Sequence, residues 1–182
     1  MNIMLARECN MRVKAGDTVV CVGDFSCRGG ERGVPGSNAK GAEWLAKLNG
    51  NWVMLEGNHD GNNSVKTVGT YMECVMGHYF VGVQHRPLYD PDFVPSPDPD
   101  DEDVPRRKMV LSPRHREALV RHTQYCRAAC DFIICGHIHN RWRVKVIAGV
   151  WHINVGVDAN KYRPLNDHEV LALYDQARRK QP

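Results

Sequence analysis

No C-x-x-C pair occurs anywhere in this sequence, and its seven cysteines (Cys9, Cys21, Cys27, Cys74, Cys126, Cys130 and Cys135) are an odd number. Structural zinc sites need paired spacings, so these cysteines argue against a zinc cluster. Several lie inside apolar runs, such as Val19-Val20-Cys21-Val22 and Phe132-Ile133-Ile134-Cys135. They read as reduced, buried thiols of a cytoplasmic protein. A run of about 18 apolar residues is also lacking, which argues against a helical membrane span and against a membrane partner. The N-terminus has no basic region followed by an apolar stretch and a small-residue cleavage site, so no secretory signal is expected. Strong charge of one sign is absent: the net charge of +3 is too small to imply nucleic-acid binding, and no basic–aromatic stretch accompanies it. No internal repeat is seen.

What is present suits a folded globular chain. The sequence is 42% hydrophobic and 25% charged, and its 182 residues suffice for one domain with a sizeable core. The expected organisation is a single domain over 1–182. Strands are expected at 18–22, 52–55, 79–83 and 132–135, with a hairpin of 142–148 and 150–155 around Gly149 and a last strand at 169–174. Helices are expected at 39–48 and from Ser112-Pro113 to about Cys130, where Ser suits the N-cap and Pro the first turn. Residues 26–37 read as a loop, and the acidic, proline-rich 90–108 as an exposed insertion. Alternating elements early and antiparallel strands late point to an α/β protein with a mixed sheet or two packed sheets.

Asp24, Asn58, His85 and His137 each follow directly on an expected strand. Ligand sites gather in loops at the C-terminal ends of such strands. A carboxylate, an amide oxygen and imidazoles converging on one sheet edge suit a borderline divalent ion such as Mn, Fe, Zn, Co or Ni. In Gly136-His137-Ile138-His139 the two histidines, two residues apart, project to one side of an extended segment. They would serve two neighbouring ions, or one ion and a substrate. Gly23-Asp24 and Gly57-Asn58-His59-Asp60 are weak signals singly. In this order, each behind a strand, the three together mark a metal site.

Those motifs resemble the calcineurin-like metallophosphoesterase superfamily. The family carries five ordered motifs, of which four match: Gly23-Asp24, Gly57-Asn58-His59-Asp60, the isolated His85, and Gly136-His137-Ile138-His139. Gly23-Asp24-Phe25-Ser26, His85-Arg86-Pro87-Leu88 and Asn154-Val155-Gly156-Val157-Asp158 through Tyr162-Arg163-Pro164 also resemble a small bacterial and phage branch. The resemblance covers roughly 14–174 apart from 90–108. It implies a four-layer α-β-β-α sandwich with two mixed sheets. It implies that Asp24 bridges two divalent ions, Mn foremost with Fe, Zn, Ni, Co or Mg as alternatives. Asn58, His85 and His137 would complete one site, and His139 would belong to the other. His59 would contact phosphoryl oxygens and protonate the leaving group, with Asp60 holding its ring. Two ions about 3.5–4 Å apart activate a hydroxide and stabilise charge on phosphorus, and a histidine with a carboxylate partner is a suitable proton donor near neutral pH.

The first family motif, Asp-x-His, is missing. The opening Met1-Asn2-Ile3-Met4-Leu5-Ala6-Arg7-Glu8 resembles the helix that follows that motif, so the fold is expected without its first strand. Asp17 reads as a turn residue before a strand. One metal site is then complete, whereas the second keeps only Asp24 and His139, too few for tight binding. At most one firmly bound ion is expected. An upstream start, a truncated gene or a diverged protein would each explain the gap, and a partner chain such as a second copy is one way to cover it. The expected function is hydrolysis of a phosphomonoester or phosphodiester, with a small phosphate ester or a nucleotide or nucleic-acid end as partner. The competing reading is a weak or inactive binding or scaffold protein on the same fold. His78, His115, His122, His152 and His168 are expected to be surface or structural, as are Arg28, Arg163 and the run Arg106-Arg107-Lys108. Trp44, Trp52, Trp142 and Trp151 are expected in or beside the core.

Overall fold

The computed structural model describes residues 2–25, 41–60, 65–89 and 112–180. The expected loop 26–37, the insertion 90–108, Arg28 and the basic triplet lie outside these residues. The β-branched run after Asp17 forms β1 (Thr18–Cys21), which pairs in parallel with β2 (Asn51–Met54) as a two-stranded sheet. Between them lies a short helix, α2 (Gly41–Leu45), and before them α1 (Asn2–Arg12). Asn10 and Asn49 tie α1 to the α2–β2 connection, where Asn49 N–H donates to Asn10 Oδ1 at 2.8 Å. Asp17 is a turn residue as expected, its Oδ2 accepting from Lys14 N–H at 2.8 Å.

The larger sheet is mixed and runs β3-β4-β5-β7-β6. Its members are β3 (Tyr71–Met76), β4 (Tyr79–Gln84), β5 (Phe132–Cys135), β6 (Val144–Ile147) and β7 (Val150–Asn154). The central β5 is parallel to both neighbours and every one of its residues is buried, as a strand covered on both faces must be. Strand β3 was not anticipated; it joins β4 through Gly77-His78, a two-residue turn opened by Gly77 at φ 64. The hairpin of β6 and β7 is as expected. Ala148 and Gly149, with φ 50 and 76, make its turn.

One face of the larger sheet presents Val81, Val83, Phe132, Ile134 and Ile153 to Val22 and Leu55 at the ends of the smaller sheet. The other face packs Ile133, Cys135, Leu88 and Val150 against Cys126 of α3 (Pro113–Ala129). Each large apolar side chain buried here contributes about 1.5–3 kcal/mol. Helix α3 begins as the sequence indicates: Ser112 Oγ accepts from His115 N–H at 3.3 Å and Pro113 occupies the first turn. The architecture is therefore α/β with two sheets flanked by helices.

The expected strand at 169–174 is a helix instead. It lies within α4 (Asp167–Lys180). The deciding chemistry is a reciprocal cap: Asn166 Oδ1 accepts from Glu169 N–H at 2.9 Å, and Asn166 N–H donates to Glu169 Oε2 at 3.0 Å. Val170 and Tyr174, four residues apart, then bury on one helical face against the core. Arg12 and Arg163 both pair with Glu169, joining α1, α4 and the segment before α4. Despite the burial that would raise it, these guanidiniums and the Asn166 N–H hold the Glu169 carboxyl at about 2. Arg163 is thus structural, as expected.

Candidate metal centre

Two glycines let the loops after β1 and β2 touch. A Cβ on Gly57 would stand 2.2 Å from Asp24 Oδ1, and one on Gly23 would stand 2.7 Å from the Gly57 Cα. Gly23 itself has φ 100, open to glycine at little cost. The contact is stitched by carboxylates. Asp60, buried, accepts from Asp24 N–H at 2.6 Å and Gly57 N–H at 2.8 Å through Oδ2. Asp24 Oδ1 accepts from His59 N–H at 2.8 Å. Asp60 was expected to hold the His59 ring. What its Oδ2 holds is backbone, the junction of the two ligand-bearing loops. The His59 ring is exposed and makes no hydrogen bond among the described residues.

His85 is buried at the end of β4. Its Nδ1 lies 2.9 Å from Val22 O, an acceptor only, so Nδ1 carries the proton and Nε2 carries the lone pair. That lone pair faces Asp24 Oδ2 at 3.1 Å, Asn58 Oδ1 at 3.0 Å and His137 Nδ1 at 3.1 Å. Two oxygens and two ring nitrogens converge, and with the His137 proton on Nε2 all four present lone pairs to one point. Such a set repels itself unless a cation sits inside it, so the donor chemistry fits a divalent ion. Asp24, His85 and His137 form a three-residue group able to hold one, with ligand atoms all within 4.8 Å of one another. His137 is poised for the same task. Desolvation of its ring, followed by the positive charge of Arg86, pushes it down to about 4, although part of the residue faces solvent. It stays a neutral donor at physiological pH.

His139 stands apart. It is outside that group, its side chain is 77% exposed, and its Nδ1 lies 2.7 Å from Asp158 Oδ2. Asp24, His137 and His139 all have left-handed backbone, with φ 55, 68 and 48. Such non-glycine conformations cost of order 1 kcal/mol each and persist where surroundings impose them.

Residues given no site role in the sequence support the ligand loop. The segment carrying His85 is clamped at three points. Gln84 Nε2 donates to Arg86 O at 2.6 Å while Gln84 Oε1 meets His122 Nε2 of α3 at 2.7 Å. Leu88 N–H donates to His152 Nε2 at 3.1 Å, and Thr123 donates to Tyr89 O at 2.9 Å. His152 is fully buried and its other nitrogen donates to Val150 O at 2.9 Å; burial pushes it down to about 4. His122 and His152 are structural, as expected, but what they support is the ligand loop. Only the sequence phrase around Arg86-Pro87-Leu88 hinted at this. Among the described residues no helix is long and apolar enough to cross a membrane, and no cysteine is bridged.

No curated protein matches the sequence. Among solved structures, a protein of unknown function from Aquifex aeolicus superposes with a TM-score of 0.61 at 22% identity, covering 94% of this chain and 84% of that one, which shows a common fold. Zinc-complexed Vps29 from Entamoeba histolytica gives a TM-score of 0.42 at 18% identity over 86% of this chain and 64% of that one. An archaeal phosphodiesterase gives 0.38 at 16% identity over 77% and 67%. The profile of the calcineurin-like phosphoesterase superfamily domain matches residues 1–175, so the chain belongs to that superfamily, whose members use divalent metal on phosphate esters.

Proposed function

We propose that this chain hydrolyses a phosphomonoester or phosphodiester at a single firmly held divalent ion, manganese foremost, bound by Asp24, His85, His137 and the Asn58 amide oxygen. The observation that carries this reading is the His85 lone pair facing three other potential ligand atoms at 3.0–3.1 Å. An ion there would supply Lewis acidity toward phosphorus and toward water. The chain's own residues supply the rest. Asp60 and the Gly23–Gly57 contact hold Asp24 and Asn58 at one edge. The His59 ring, without a hydrogen bond among the described residues and with its backbone fixed by Asp24, is available to a phosphoryl oxygen or to the leaving group. Arg86, whose charge reaches His137, adds positive potential where an anionic ester would arrive.

The isolation of His139 from the three-residue group favours a second reading, a weak or inactive member acting as a binding protein. Hydrolysis of bis-p-nitrophenyl phosphate and p-nitrophenyl phosphate with added Mn²⁺ decides between them, with Asp24→Asn as control. Activity in the wild type that disappears in the control supports the enzyme. Activity equal to the control's overturns it in favour of the binding protein.

A further inference from the structure

We propose that Cys126 and Cys130 form a modification site, a dithiol that hydrogen peroxide closes to a disulfide, and that closure loosens the clamp on the segment carrying His85. The effect on metal rests on the metal reading above; the disulfide itself does not.

Cys126 and Cys130 lie one helical turn apart at the end of α3, and neither belongs to the metal group. Both sulfurs sit on one phenol oxygen: Tyr71 Oη lies 3.5 Å from Cys130 Sγ and 3.8 Å from Cys126 Sγ. The two thiols also hydrogen-bond each other. Cβ atoms four residues apart on a helix stand about 5–6 Å apart, and a disulfide requires about 3.8 Å. The helix end can supply the difference, because Cys130 is the C-cap, with extended backbone at φ -108 and ψ 138. Closure therefore draws Cys130 toward Cys126 and away from Tyr71.

The thiols differ in access. Cys126 is fully buried and desolvation pushes it up to about 11, whereas Cys130 is half-buried. Peroxide therefore meets Cys130 first. The Cys130 sulfur attacks one peroxide oxygen, the O–O bond breaks, and a sulfenic acid and water result. The Cys126 sulfur then attacks the Cys130 sulfur. The S–O bond breaks, and hydroxide leaves as water with the Cys126 proton. In sum, two thiols lose two electrons and two protons, and one peroxide becomes two waters. The consequence runs through the rings that these sulfurs touch. Cys126 Sγ lies 3.6 Å from His122 Nε2, and the His122 and Tyr71 rings meet edge to face at 4.8 Å. His122 Nε2 holds Gln84 Oε1 at 2.7 Å, and Gln84 Nε2 donates to Arg86 O at 2.6 Å, next to His85. A bridge that moves sulfur against both rings acts on that clamp.

The test treats metal-free wild type and Cys130→Ser with a small excess of hydrogen peroxide, then removes the peroxide with catalase. One half is blocked with N-ethylmaleimide and mapped by mass spectrometry. The other half is titrated with Mn²⁺, following free Mn²⁺ by electron paramagnetic resonance. Arg127 lies between the cysteines, so trypsin leaves peptides 122–127 and 128–141 joined only across a bridge from Cys126, and fragment spectra tell Cys130 from Cys135. Oxidised wild type is expected to yield the Cys126–Cys130 cross-link, two hydrogens lighter than its separate peptides. Its tight Mn²⁺ phase is expected to weaken about tenfold against the reduced chain, whereas Cys130→Ser shifts by less than about twofold on oxidation. A wild type without the cross-link overturns the site. A cross-link with unchanged Mn²⁺ affinity, or an oxidised Cys130→Ser that weakens as the wild type does, overturns the loosening of the clamp. A reduced wild type that takes up no Mn²⁺ overturns the metal reading, and the cross-link still decides the site.

Discussion

The two histidines of Gly136-His137-Ile138-His139 sit two residues apart and live in different environments. His137 joins Asp24, Asn58 and His85, in a group whose loops are tied together by a buried carboxylate and whose strand ends are clamped from α3 and β7. His139 stands in solvent with one carboxylate partner. The difference teaches that a motif's spacing places two ligand types at one edge, whereas the number of converging donors decides whether an ion is held there. The tight half is dense in lone pairs and anchored to the core; the other half is one ring on a locked loop.

Removing a donor from the dense half should have the largest effect. Asp24→Asn keeps an acceptor oxygen for the His59 N–H, so the loops stay in contact, but it removes the only carboxylate of the three-residue group. Mn²⁺ affinity measured by calorimetry is expected to fall by more than about 100-fold, beyond the cost of losing a residue that merely supports a ligand. A smaller fall would mean that the ion is held elsewhere.

The anchoring of that half is expected to fail in acid. His152 has a folded-state value of about 4, below the ordinary 6.5 of an unfolded histidine. Its contribution is therefore fully present above about pH 6.5 and is lost as the pH falls toward 4, because the unfolded chain takes the proton first. Wild type should lose about 2–3 kcal/mol between pH 7 and 4.5 from this group. His152→Gln keeps an acceptor for Leu88 N–H and does not titrate, so urea melts of the two chains should converge as the pH drops. Parallel pH profiles would remove His152 from this role.

Close approach of the loops is the next most sensitive feature. In Gly57→Ala the new methyl would meet Asp24 Oδ1 at 2.2 Å and Asp24 N at 2.3 Å, both fixed by other bonds. The loops must separate, and Mn²⁺ affinity is expected to drop about tenfold. Circular dichroism should show the fold retained, since Gly57 lies outside both strands of the smaller sheet. Unchanged affinity would show that the loops separate freely.

Much of this was legible in the sequence because strand ends are legible. The apolar runs before Gly23-Asp24 and Gly136-His137 set two strands and hence the edge where Asp24 and His137 meet. The stretch 169–174 misled because Val170-Leu171-Ala172-Leu173-Tyr174 is a short continuous apolar run, which periodicity alone does not assign to strand or helix. The Asn166–Glu169 cap, visible in the sequence as a polar pair three residues apart, carried the opposite message. Strand β3 went unread since Tyr71–Met76 has no clean alternation and needs its pairing with β4 to exist. The partners of the site were hidden for a different reason. Asp60 to the Asp24 amide spans 36 residues and His152 to Leu88 spans 64, and no local pattern encodes such contacts.

The smallest expected effect tests the comparison most directly. His139→Gln alters an exposed ring outside the three-residue group, and the backbone hold of Asn154 on residue 139 does not depend on the side chain. If the two histidines differ as their surroundings indicate, this variant should leave the tight Mn²⁺ phase within about threefold of wild type, whereas His137→Gln should lose it by tenfold or more. Metal analysis of the wild type should correspondingly give one firmly bound ion per chain. Two tightly bound ions, or equal losses from both substitutions, would mean that His139 shares a complete second site, with ligands drawn from beyond the described residues.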